Sequence, residues 1–259
     1  MNARNIVILL EYENTIHKIK LSIIIPVYNE VLYLDQVIHR IVSTMLPCDF
    51  EIIIIDSGST DGSTEIVRHY SGKSNFQCIF MSSNKGKGYA VRAGLKCARG
   101  EIVIIQDADF EYQPSDYPAL LQPLLDGKTT LVIGSRYLGL KTWKIKKSNE
   151  NLIHLLMVNL GSVFINKLFC LICKTDITDS QSMFKIFLKK NIEVITFNCD
   201  GFDFDTELLA KMILRGHRPI EVPVSYKSRT TSQGKKLRVF RDGFLILIQI
   251  IKIQFDKNF

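Results

Sequence analysis

Residues 101–109 read EIVIIQDAD and place two carboxylates directly after a short, mostly β-branched run. The run at 101–105 has the length and composition of a strand that is buried on both faces. Asp107 and Asp109 would then lie at the carboxyl end of that strand, where open α/β sheets bind ligands. A carboxylate pair there favours Mg²⁺ or Mn²⁺, which usually completes its coordination with substrate phosphates. An isolated Asp-x-Asp also occurs in solvated turns, so the interpretation depends on the surrounding segments.

The N-terminal half of the chain repeats this pattern of an apolar run, a polar segment and a helical segment. Further strands are predicted at 21–25, 51–55, 76–80 and 131–133. Helices are predicted at 32–44, 63–70, 89–98 and 116–125. This alternation predicts an α/β fold with a mostly parallel central sheet flanked by helices. The polar residues that follow the strands should gather along one edge of the sheet.

Three polar segments at that edge have the chemistry of a sugar-nucleotide site. Residues 26–30 offer a ring and a carboxylate, and residues 55–62 offer acceptors and glycines that let a base approach the backbone. Residues 84–88 form a basic, glycine-rich turn at a predicted helix N-terminus, where backbone N–H groups favour a phosphate. Taken alone, Asp56 could belong to a helix-capping turn and Lys85 could be a solvated charge. Their ordered recurrence at strand ends favours a binding site.

Five segments in this half read PVYNE at 26–30, DSGSTDG at 56–62, NKG at 84–86, QDAD at 106–109 and GSR at 134–136. In this order they resemble the consecutive motifs of family 2 glycosyltransferases with the GT-A fold. Later segments read TD at 178–179, GFDF at 201–204, VPV at 222–224, R at 229 and GKK at 234–236. These are similar to the dolichol-phosphate mannose synthase branch. The resemblance implies transfer of one sugar from GDP-mannose or a UDP-sugar to a polyprenyl or dolichyl phosphate.

The resemblance also implies a donor site around the nucleotide sugar. Its members would be Pro26, Tyr28, Glu30, Asp56, Lys85, Gly86, Asp107, Ala108 and Asp109. Asp107 and Asp109 would act in catalysis by holding the metal and diphosphate, with Glu111 as a third metal ligand. Glu111 stands where these synthases often have glutamine, and Ser57 stands where an aspartate is common. The nucleobase therefore stays open between guanine and uracil.

For the acceptor phosphate or leaving group, the resemblance implies four basic residues, Arg136, Arg229, Lys235 and Lys236. Asp179 and Glu207 are candidates for aligning sugar or acceptor, although they could equally be a turn cap and a first-turn helix carboxylate. A phosphate monoester with a second pKa of about 6 needs no strong general base at neutral pH. Direct in-line attack would invert the anomeric centre.

Two alternative functions remain at this point. One keeps the fold but uses a saccharide hydroxyl as acceptor, which would require Glu207 or Asp179 as a general base. The other is a non-catalytic nucleotide-sugar-binding module, against which the intact Asp-x-Asp and the set of basic residues argue.

The chain is expected to consist of an N-terminal extension at 1–20, a catalytic domain at 21–225, and a basic acceptor loop with a C-terminal amphipathic helix at 226–259. A length of 259 residues with 46% hydrophobic content suffices for a single core. The apolar stretch at 6–10 is too short for a signal-peptide core. The six cysteines are therefore expected to be reduced, and Cys170 and Cys173 to pack within a helix.

Residues 148–173 are expected to lie at a membrane surface. Polar residues interrupt the apolar stretch at 152–173, which indicates an interfacial helix rather than a spanning one. Its apolar face would consist of Leu156, Met157, Leu160, Phe164, Leu168 and Leu171. The run at 244–251 could pair with it, although core packing explains either helix equally well. The lysines at 141, 144, 146 and 147 favour an anionic membrane, to which each contributes about 1 kcal/mol.

The net charge of +7 also raises nucleic acid as a partner. However, the chain lacks recognition-helix, OB and RRM patterns, and its lysines are not interleaved with aromatic residues. The predicted partners are instead a nucleotide-sugar donor, a polyprenyl phosphate, a membrane surface and, as a candidate, a small membrane-anchoring subunit. The predicted location is peripheral, on the cytoplasmic face of a membrane.

Overall fold

The computed structural model describes residues 20–138, 152–229 and 239–255. Three sets of predictions fall outside these ranges: the N-terminal extension apart from Lys20, the lysine cluster around Trp143, and the roles of Lys235 and Lys236. The predicted domain boundaries stay predictions.

Within these ranges the chain forms seven strands and seven α-helices. The strands are β1 Leu21–Val27, β2 Phe50–Asp56, β3 Phe76–Phe80, β4 Ile102–Ile105, β5 Leu131–Ser135, β6 Lys185–Leu188 and β7 Ile220–Pro223. The helices are α1 Leu34–Ser43, α2 Ser63–Tyr70, α3 Lys87–Cys97, α4 Tyr117–Leu125, α5 Leu152–Cys173, α6 Phe204–Leu214 and α7 Val239–Phe255. Short 3₁₀ helices lie at Pro114–Asp116 and Lys189–Asn191.

The strands form one sheet in the order β3-β2-β1-β4-β6-β5-β7. Neighbouring strands are parallel except at β6, which runs antiparallel to both β4 and β5. The predicted α/β fold with a mostly parallel sheet is therefore confirmed. Because β6 is reversed, its first residue, Lys185, pairs with Ile133 near the carboxyl end of β5. A lysine thus lies at the edge of the sheet that carries the predicted site.

The central strands are buried on both faces, which explains their continuous apolar runs. Residues 23–25, 52–55 and 102–105 are all buried. Helix α3 approaches this layer closely at Gly94, where an added Cβ would lie 2.7 Å from Ile24 Cγ2 and 2.8 Å from Ile55 Cδ1. A side chain at this position would push α3 away from the sheet. The N-terminus of α3 is thereby held at the sheet edge.

Hydrogen bonds join the polar segments that follow β1 and β2. The backbone N–H of Asn29 donates to Ser59 Oγ at 2.9 Å, and that of Glu30 donates to Ser63 Oγ at 2.8 Å. In return, Asn29 Oδ1 accepts a hydrogen bond from the N–H of Thr60 at 2.8 Å. The two segments therefore form one continuous edge, as the strand–helix alternation predicts.

Helix α5 has the bounds predicted for the interfacial helix. It packs against α7, which also contacts α6. Four residues of its predicted apolar face are exposed, namely Met157, Leu160, Phe164 and Leu171. Leu168 differs, because it is half-buried and packs against the core, and the Leu156 side chain lies outside the described residues. In the described ranges no helix combines the length and apolarity required to cross a membrane.

The thiols of Cys170 and Cys173 lie near the C-terminal end of α5 and are not joined in a disulfide. Cys170 Sγ donates to the carbonyl oxygen of Ile177 at 3.4 Å. Burial raises the pKa of Cys173 to about 12. Both features fit the packing role predicted for this pair.

Candidate active site

The Asp-x-Asp segment is held at the end of β4 by the buried side chain of Gln106. The Gln106 Nε2 group donates to the carbonyl oxygen of Asp107 at 2.9 Å, and its Oε1 accepts from the Tyr117 hydroxyl at 2.7 Å. The Gln106 backbone N–H donates to the carbonyl oxygen of Ile24 at 2.9 Å. The segment is therefore fixed to both β1 and α4, and its carboxylates are preorganised.

Asp107 forms an ion pair with Lys87, the first residue of α3. Lys87 Nζ lies 2.9 Å from Asp107 Oδ1 and 2.9 Å from Asp205 Oδ2, and its side chain is only 10% exposed. Burial alone would lower the pKa of Lys87, but the two carboxylates outweigh it and raise the pKa well above its usual range. Lys87 therefore stays charged and links α3 to the first turn of α6.

Lys87 faces the Asp-x-Asp segment, whereas the contact of Lys85 with the nucleotide sugar stays a prediction. The Lys85 side chain is exposed and lies over the Tyr89 ring, with its Nζ 4.9 Å from the ring centroid. The two lysines belong to the same glycine-rich turn, and this turn lies beside Asp107. The sequence pattern does not distinguish them, because the choice depends on which residue begins the helix.

Asp109 faces Arg229 across the crevice. The Arg229 guanidinium forms ion pairs with Asp109 and with Glu30, the latter at 2.9 and 3.3 Å. Burial, followed by the negative charge of Asp107, raises the pKa of Asp109 to about 7, although Arg229 opposes the shift. Two neighbouring buried carboxylates therefore repel each other and favour a cation.

Glu111 is bound by the segment at 226–229. Its Oε1 accepts from the backbone N–H of Arg229 at 2.8 Å, and its Oε2 accepts from the Tyr226 hydroxyl at 3.1 Å. The N–H of Lys227 donates to the Glu111 carbonyl oxygen at 2.9 Å. Glu111 thus has a clear structural role in holding the segment that carries Arg229.

The metal site predicted from the resemblance at Asp107, Asp109 and Glu111 stays a prediction. No group of three or more His, Cys, Asp and Glu side chains in the described ranges is arranged to hold a metal ion. Asp107 faces Lys87, Asp109 faces the Arg229 guanidinium, and Glu111 binds the Arg229 backbone N–H and the Tyr226 hydroxyl. The donor set that fits Mg²⁺ or Mn²⁺ is the Asp107 and Asp109 pair, because these ions are commonly held by one or two carboxylates together with substrate phosphates.

The N-terminus of α3, where a phosphate was predicted to bind, contacts the backbone at Asp200. The backbone N–H of Tyr89 donates to the carbonyl oxygen of Asp200 at 3.2 Å. Gly86, with a positive φ of 105°, packs so closely that an added Cβ would lie 2.2 Å from the same oxygen. A protein carbonyl therefore occupies this helix end, and Gly86 is required for that contact.

The nucleoside side of the crevice contains Asp56 at the end of β2. Its Oδ1 accepts from the N–H of Ser59 at 3.0 Å, and its Oδ2 accepts from the Thr64 hydroxyl at 2.6 Å. This is the turn-capping arrangement considered above. Pro26 and Tyr28 are half-buried at the end of β1, beside this turn. Contact of these residues with a nucleoside stays a prediction.

Arg136 and Asp179 form a paired contact next to the end of β5. Arg136 Nε lies 2.7 Å from Asp179 Oδ2, and its Nη2 lies 2.8 Å from Oδ1. The backbone N–H of Arg136 also donates to Asp179 Oδ2 at 3.0 Å. The rings of Tyr137 and Tyr226 flank the guanidinium, with centroids 5.1 and 5.0 Å away. Asp179 therefore acts on Arg136 and fixes its orientation.

Glu207 is bound by the loop before α6 and by Lys211. Its carboxylate accepts from the backbone N–H groups of Asn198 and Cys199 at 2.9 to 3.0 Å, and it pairs with Lys211 at 2.9 Å. These contacts lower the pKa of Glu207 even though burial would raise it. These contacts anchor the loop before α6. The expected role of Glu207 in aligning substrate stays a prediction.

Lys185 is a further charged residue that sequence reasoning missed. Its side chain is fully buried and donates from Nζ to the carbonyl oxygen of Ser182. Burial lowers the pKa of Lys185 to about 8, partly offset by the charge of Asp205. The available signal was a lysine inside the otherwise apolar run MFKIF at 183–187. A charge in such a run indicates a function, because buried lysines are rare.

The family model for glycosyl transferase family 2 matches residues 22–196, which include β1–β6 and the Asp-x-Asp segment. The chain belongs to this family. The predicted family and enzyme class, a glycosyltransferase, are therefore confirmed. Three of the charged residues described above, namely Asp205, Glu207 and Arg229, lie beyond the matched residues.

Two curated relatives are similar to this family 2 glycosyltransferase over most of its length. A dolichol-phosphate mannosyltransferase from Pyrococcus furiosus is 27% identical over 221 residues, which cover 83% of this chain and 59% of that protein. A dolichyl-phosphate beta-glucosyltransferase from Dictyostelium discoideum is 30% identical over 263 residues, which cover 95% of this chain and 77% of that protein. The chain thus spans about three fifths of the length of the first relative.

The fold is also similar to a solved structure. Glucosyl-3-phosphoglycerate synthase from Mycobacterium tuberculosis, crystallised with Mn²⁺, UDP and phosphoglyceric acid, matches with a TM-score of 0.65 and 21% identity. The match covers 95% of this chain and 82% of the other. The predicted GT-A fold is confirmed by this likeness.

Proposed function

We propose that this glycosyltransferase transfers one sugar from a nucleotide-diphosphate sugar to a polyprenyl or dolichyl phosphate, with inversion of the anomeric centre. The observation that carries the proposal is the Arg136–Asp179 pair. A guanidinium fixed by a buried carboxylate is a preorganised site for a phosphate oxygen, and preorganised charge is commonly the largest catalytic effect. The names of the two curated relatives, which specify dolichol phosphate and dolichyl phosphate, support the same acceptor class.

Arg136 retains N–H groups that can donate hydrogen bonds to the acceptor phosphate. Asp179 accepts from its Nε and Nη2 atoms, and these two hydrogen bonds do not use Nη1. A planar guanidinium can present such a group to a phosphate oxygen with defined geometry, which a lysine ammonium cannot reproduce. In the proposed reaction Arg136 orients the acceptor phosphate, and Asp179 orients Arg136.

On the donor side, Asp107 and Asp109 are the proposed cation ligands. Bound Mg²⁺ or Mn²⁺ would neutralise the charge of the departing diphosphate. The raised pKa of Asp109 supports this assignment, because burial and the charge of Asp107 outweigh the charge of Arg229, so that a further cation would stabilise the ionised carboxylate. Lys87 supplies a permanent positive charge beside Asp107 and can stabilise diphosphate oxygens from the α3 side.

The acceptor chemistry does not require a general base. The phosphate oxygen is already largely ionised at neutral pH, so it can attack the anomeric carbon directly as the diphosphate leaves. The saccharide alternative would need a carboxylate base, but the carboxylate of Glu207 binds Lys211 and two backbone N–H groups, and that of Asp179 binds Arg136. These contacts favour the phosphate acceptor.

The exposed apolar surface of α5 and α7 supports attachment to a membrane. On α5, Leu160 and Phe164 are 67% and 59% exposed, and on α7, Phe244 and Phe255 are 62% and 74% exposed. A cluster of large exposed apolar side chains of this kind marks an interaction surface. We propose that it lies against the lipid that carries the acceptor. The cytoplasmic face and a small anchoring subunit stay predictions.

The membrane part can be tested by co-sedimentation with anionic vesicles. Phe164→Asp should weaken binding about tenfold or more, because it replaces an exposed apolar ring by a charge that the lipids repel. Lys174→Gln, at the end of the same helix, should weaken binding less. Unchanged binding of Phe164→Asp, with an unchanged thermal melt, would show that this face is not the lipid contact.

The reaction itself can be tested with the purified protein and labelled UDP-glucose or GDP-mannose. With a short polyprenyl phosphate and Mn²⁺, label should enter the lipid fraction, and a chelator should abolish it. Recovery of label on an added oligosaccharide instead of the lipid would favour the saccharide alternative. Absence of transfer from both donors would contradict the proposal.

A further inference from the structure

The loop at 177–182 connects α5 to β6 and carries Asp179, the carboxylate that orients Arg136. Glu221 of β7 holds it from one side: its Oε2 accepts from the backbone N–H of Thr178 at 2.8 Å, and its Oε1 accepts from that of Asp179 at 3.1 Å. The position of Asp179 therefore depends on the partners of this loop.

Asn166 of α5 holds the same loop from the other side. Its Nδ2 donates to the carbonyl oxygen of Ile177 at 2.9 Å, and its Oδ1 accepts from the backbone N–H of Ser180 at 2.7 Å. One side-chain amide thus bonds the backbone before and after Asp179. One turn earlier on the helix, the carbonyl oxygen of Ser162 accepts from Gln181 Nε2 at 3.1 Å, which makes a second link to the same loop.

The contacts of Ser162 and Asn166 with this loop explain why polar residues interrupt the apolar sequence of α5. Asn166 is half-buried against the loop, whereas Leu160 and Phe164 are exposed. A helix that merely lay on a membrane would turn its polar residues to water. Here Ser162 and Asn166 bind a loop of the catalytic domain, and the apolar residues are directed outward.

We infer that Asn166 is a positioning residue for sugar transfer, which acts by fixing the loop around Asp179 and thereby the orientation of Arg136. The inference rests on the proposed function. Both groups of its amide are used, one as donor and one as acceptor, and aspartate could keep only the acceptor contact. Because Phe164 belongs to the same turn, these two hydrogen bonds also link the proposed lipid surface to Arg136.

The variants Asn166→Leu and Asn166→Asp test the contact. Leucine has the same number and branching of side-chain heavy atoms and removes both hydrogen bonds, whereas aspartate keeps an acceptor for the Ser180 N–H and loses the donor to Ile177. Asn159→Leu is the matched control, because it makes the same change on the same helix at a residue that has no hydrogen bond to the loop among the described contacts. The thermal melt of each variant is measured first.

Transfer to polyprenyl phosphate by Asn166→Leu should fall about ten- to a hundredfold, because small displacements of a substrate-orienting group have effects of this size. Transfer by Asn166→Asp should fall less. Affinity for UDP or GDP with Mn²⁺, and slow hydrolysis of the donor by water, should stay within about twofold of the wild type. A purely structural role would lower all three quantities together.

A double-mutant cycle provides the decisive comparison. In an Arg136→Lys background, Asn166→Leu should have little further effect on transfer, because its target has already been removed. Full additivity, or a loss of nucleotide affinity equal to the loss of transfer, would overturn the inference. Equal transfer by Asn166→Leu and the wild type would also overturn it.

Hydrogen exchange separates this inference from the proposed function. Without any substrate, Asn166→Leu should increase amide exchange at residues 177–182 and around Arg136, while Asn159→Leu should not. Unchanged exchange in both segments would overturn the inference whatever the reaction is. Changed exchange together with no lipid transfer by the wild type would instead overturn the proposed function.

Discussion

The sequence predicts one role for Arg136 and Arg229, and the two lie in different surroundings. Arg136 pairs with Asp179, a carboxylate on a loop that α5 and β7 hold in place. Arg229 instead reaches across the crevice from the segment after β7 and pairs with Glu30 and Asp109. The first pair is separate from the predicted cation ligands, and the second includes one of them.

This difference separates the proposed acceptor region from the proposed donor region. The acceptor region is the Arg136–Asp179 pair with its loop, and its geometry does not depend on Asp107 or Asp109. The donor region comprises Lys87, Arg229 and their carboxylate partners. Changes in the acceptor region should therefore affect transfer without affecting nucleotide binding, whereas changes in the donor region should affect both.

The largest effect is expected for Asp109→Asn in the donor region. Loss of a charged cation ligand should reduce turnover about a thousandfold and weaken Mn²⁺-dependent nucleotide binding. The fold should be affected little, because the substitution removes the repulsion between Asp109 and Asp107, and Arg229 keeps its ion pair with Glu30 when that with Asp109 is lost. Steady-state kinetics, nucleotide titration and a thermal melt measure the three quantities. Nucleotide binding equal to that of the wild type would remove Asp109 from the donor region.

A smaller loss is expected for Arg136→Lys in the acceptor region. The lysine cannot keep both hydrogen bonds to Asp179 and also face a phosphate, so about 2 to 4 kcal/mol of transition-state stabilisation should be lost. This corresponds to a rate loss of about thirty- to a thousandfold in lipid transfer. Nucleotide affinity should be unchanged, and Arg229→Lys serves as the comparison because it should reduce nucleotide affinity as well. Equal losses of nucleotide affinity in Arg136→Lys and Arg229→Lys would contradict the distinction between the two regions.

Lys185 lies between the two regions, and its titration should appear in the pH dependence of stability. Its pKa is lowered to about 8 in the folded protein, below its ordinary value of 10.5. Between these values the unfolded chain binds a proton that the folded protein has released, so the free energy of unfolding should rise with pH. The charges that act on Lys185 belong to Asp205, Lys87, Asp179 and Arg136.

The comparison variant is Lys185→Met. Between pH 8 and about 10.5, the free energy of unfolding of the wild type should rise by about 1 to 3 kcal/mol relative to that of this variant. Denaturant unfolding measures the difference. A constant difference across that window would show that Lys185 does not titrate there.

The smallest effect is expected from the two lysines of the α3 turn. Lys87→Met should lower the free energy of unfolding by about 1 to 3 kcal/mol, because it leaves Asp107 and Asp205 without their shared partner. Lys85→Met should change it by less than about 0.5 kcal/mol, because Lys85 is exposed. Similar losses for both variants would show that the ion pairs of Lys87 do not hold α3 to α6.

The N-terminal half of the fold is predictable because its strands are buried on both faces and therefore form continuous apolar runs. The strands β1 to β5 and the helices between them agree with the predicted ranges to within two residues. The strand β6 has only four residues and begins with Lys185, and β7 ends at Pro223, so neither shows that pattern. Their pairing depends on contacts that are distant in sequence.

The site is predictable at the level of segments and less so at the level of side chains. The sequence places the turn at 84–88 at the same edge of the sheet as Asp107, but which of its lysines faces Asp107 depends on where α3 begins. Glu207 and Asn198 meet only because α6 packs against the preceding loop, which the sequence pattern does not reveal. Asp179 was identified through the resemblance, whereas its pairing with Arg136 required the three-dimensional structure.

The most direct test of the account compares two acceptors of equal chain length, a polyprenyl phosphate and the corresponding polyprenol. With either labelled donor that supports transfer, the wild-type protein should glycosylate only the phosphate, because the alcohol offers no ionised oxygen and no charge for Arg136. The same preference should be reduced in Arg136→Lys. Comparable transfer to the alcohol, with no dependence on Arg136, would contradict the central claim that this arginine binds an acceptor phosphate.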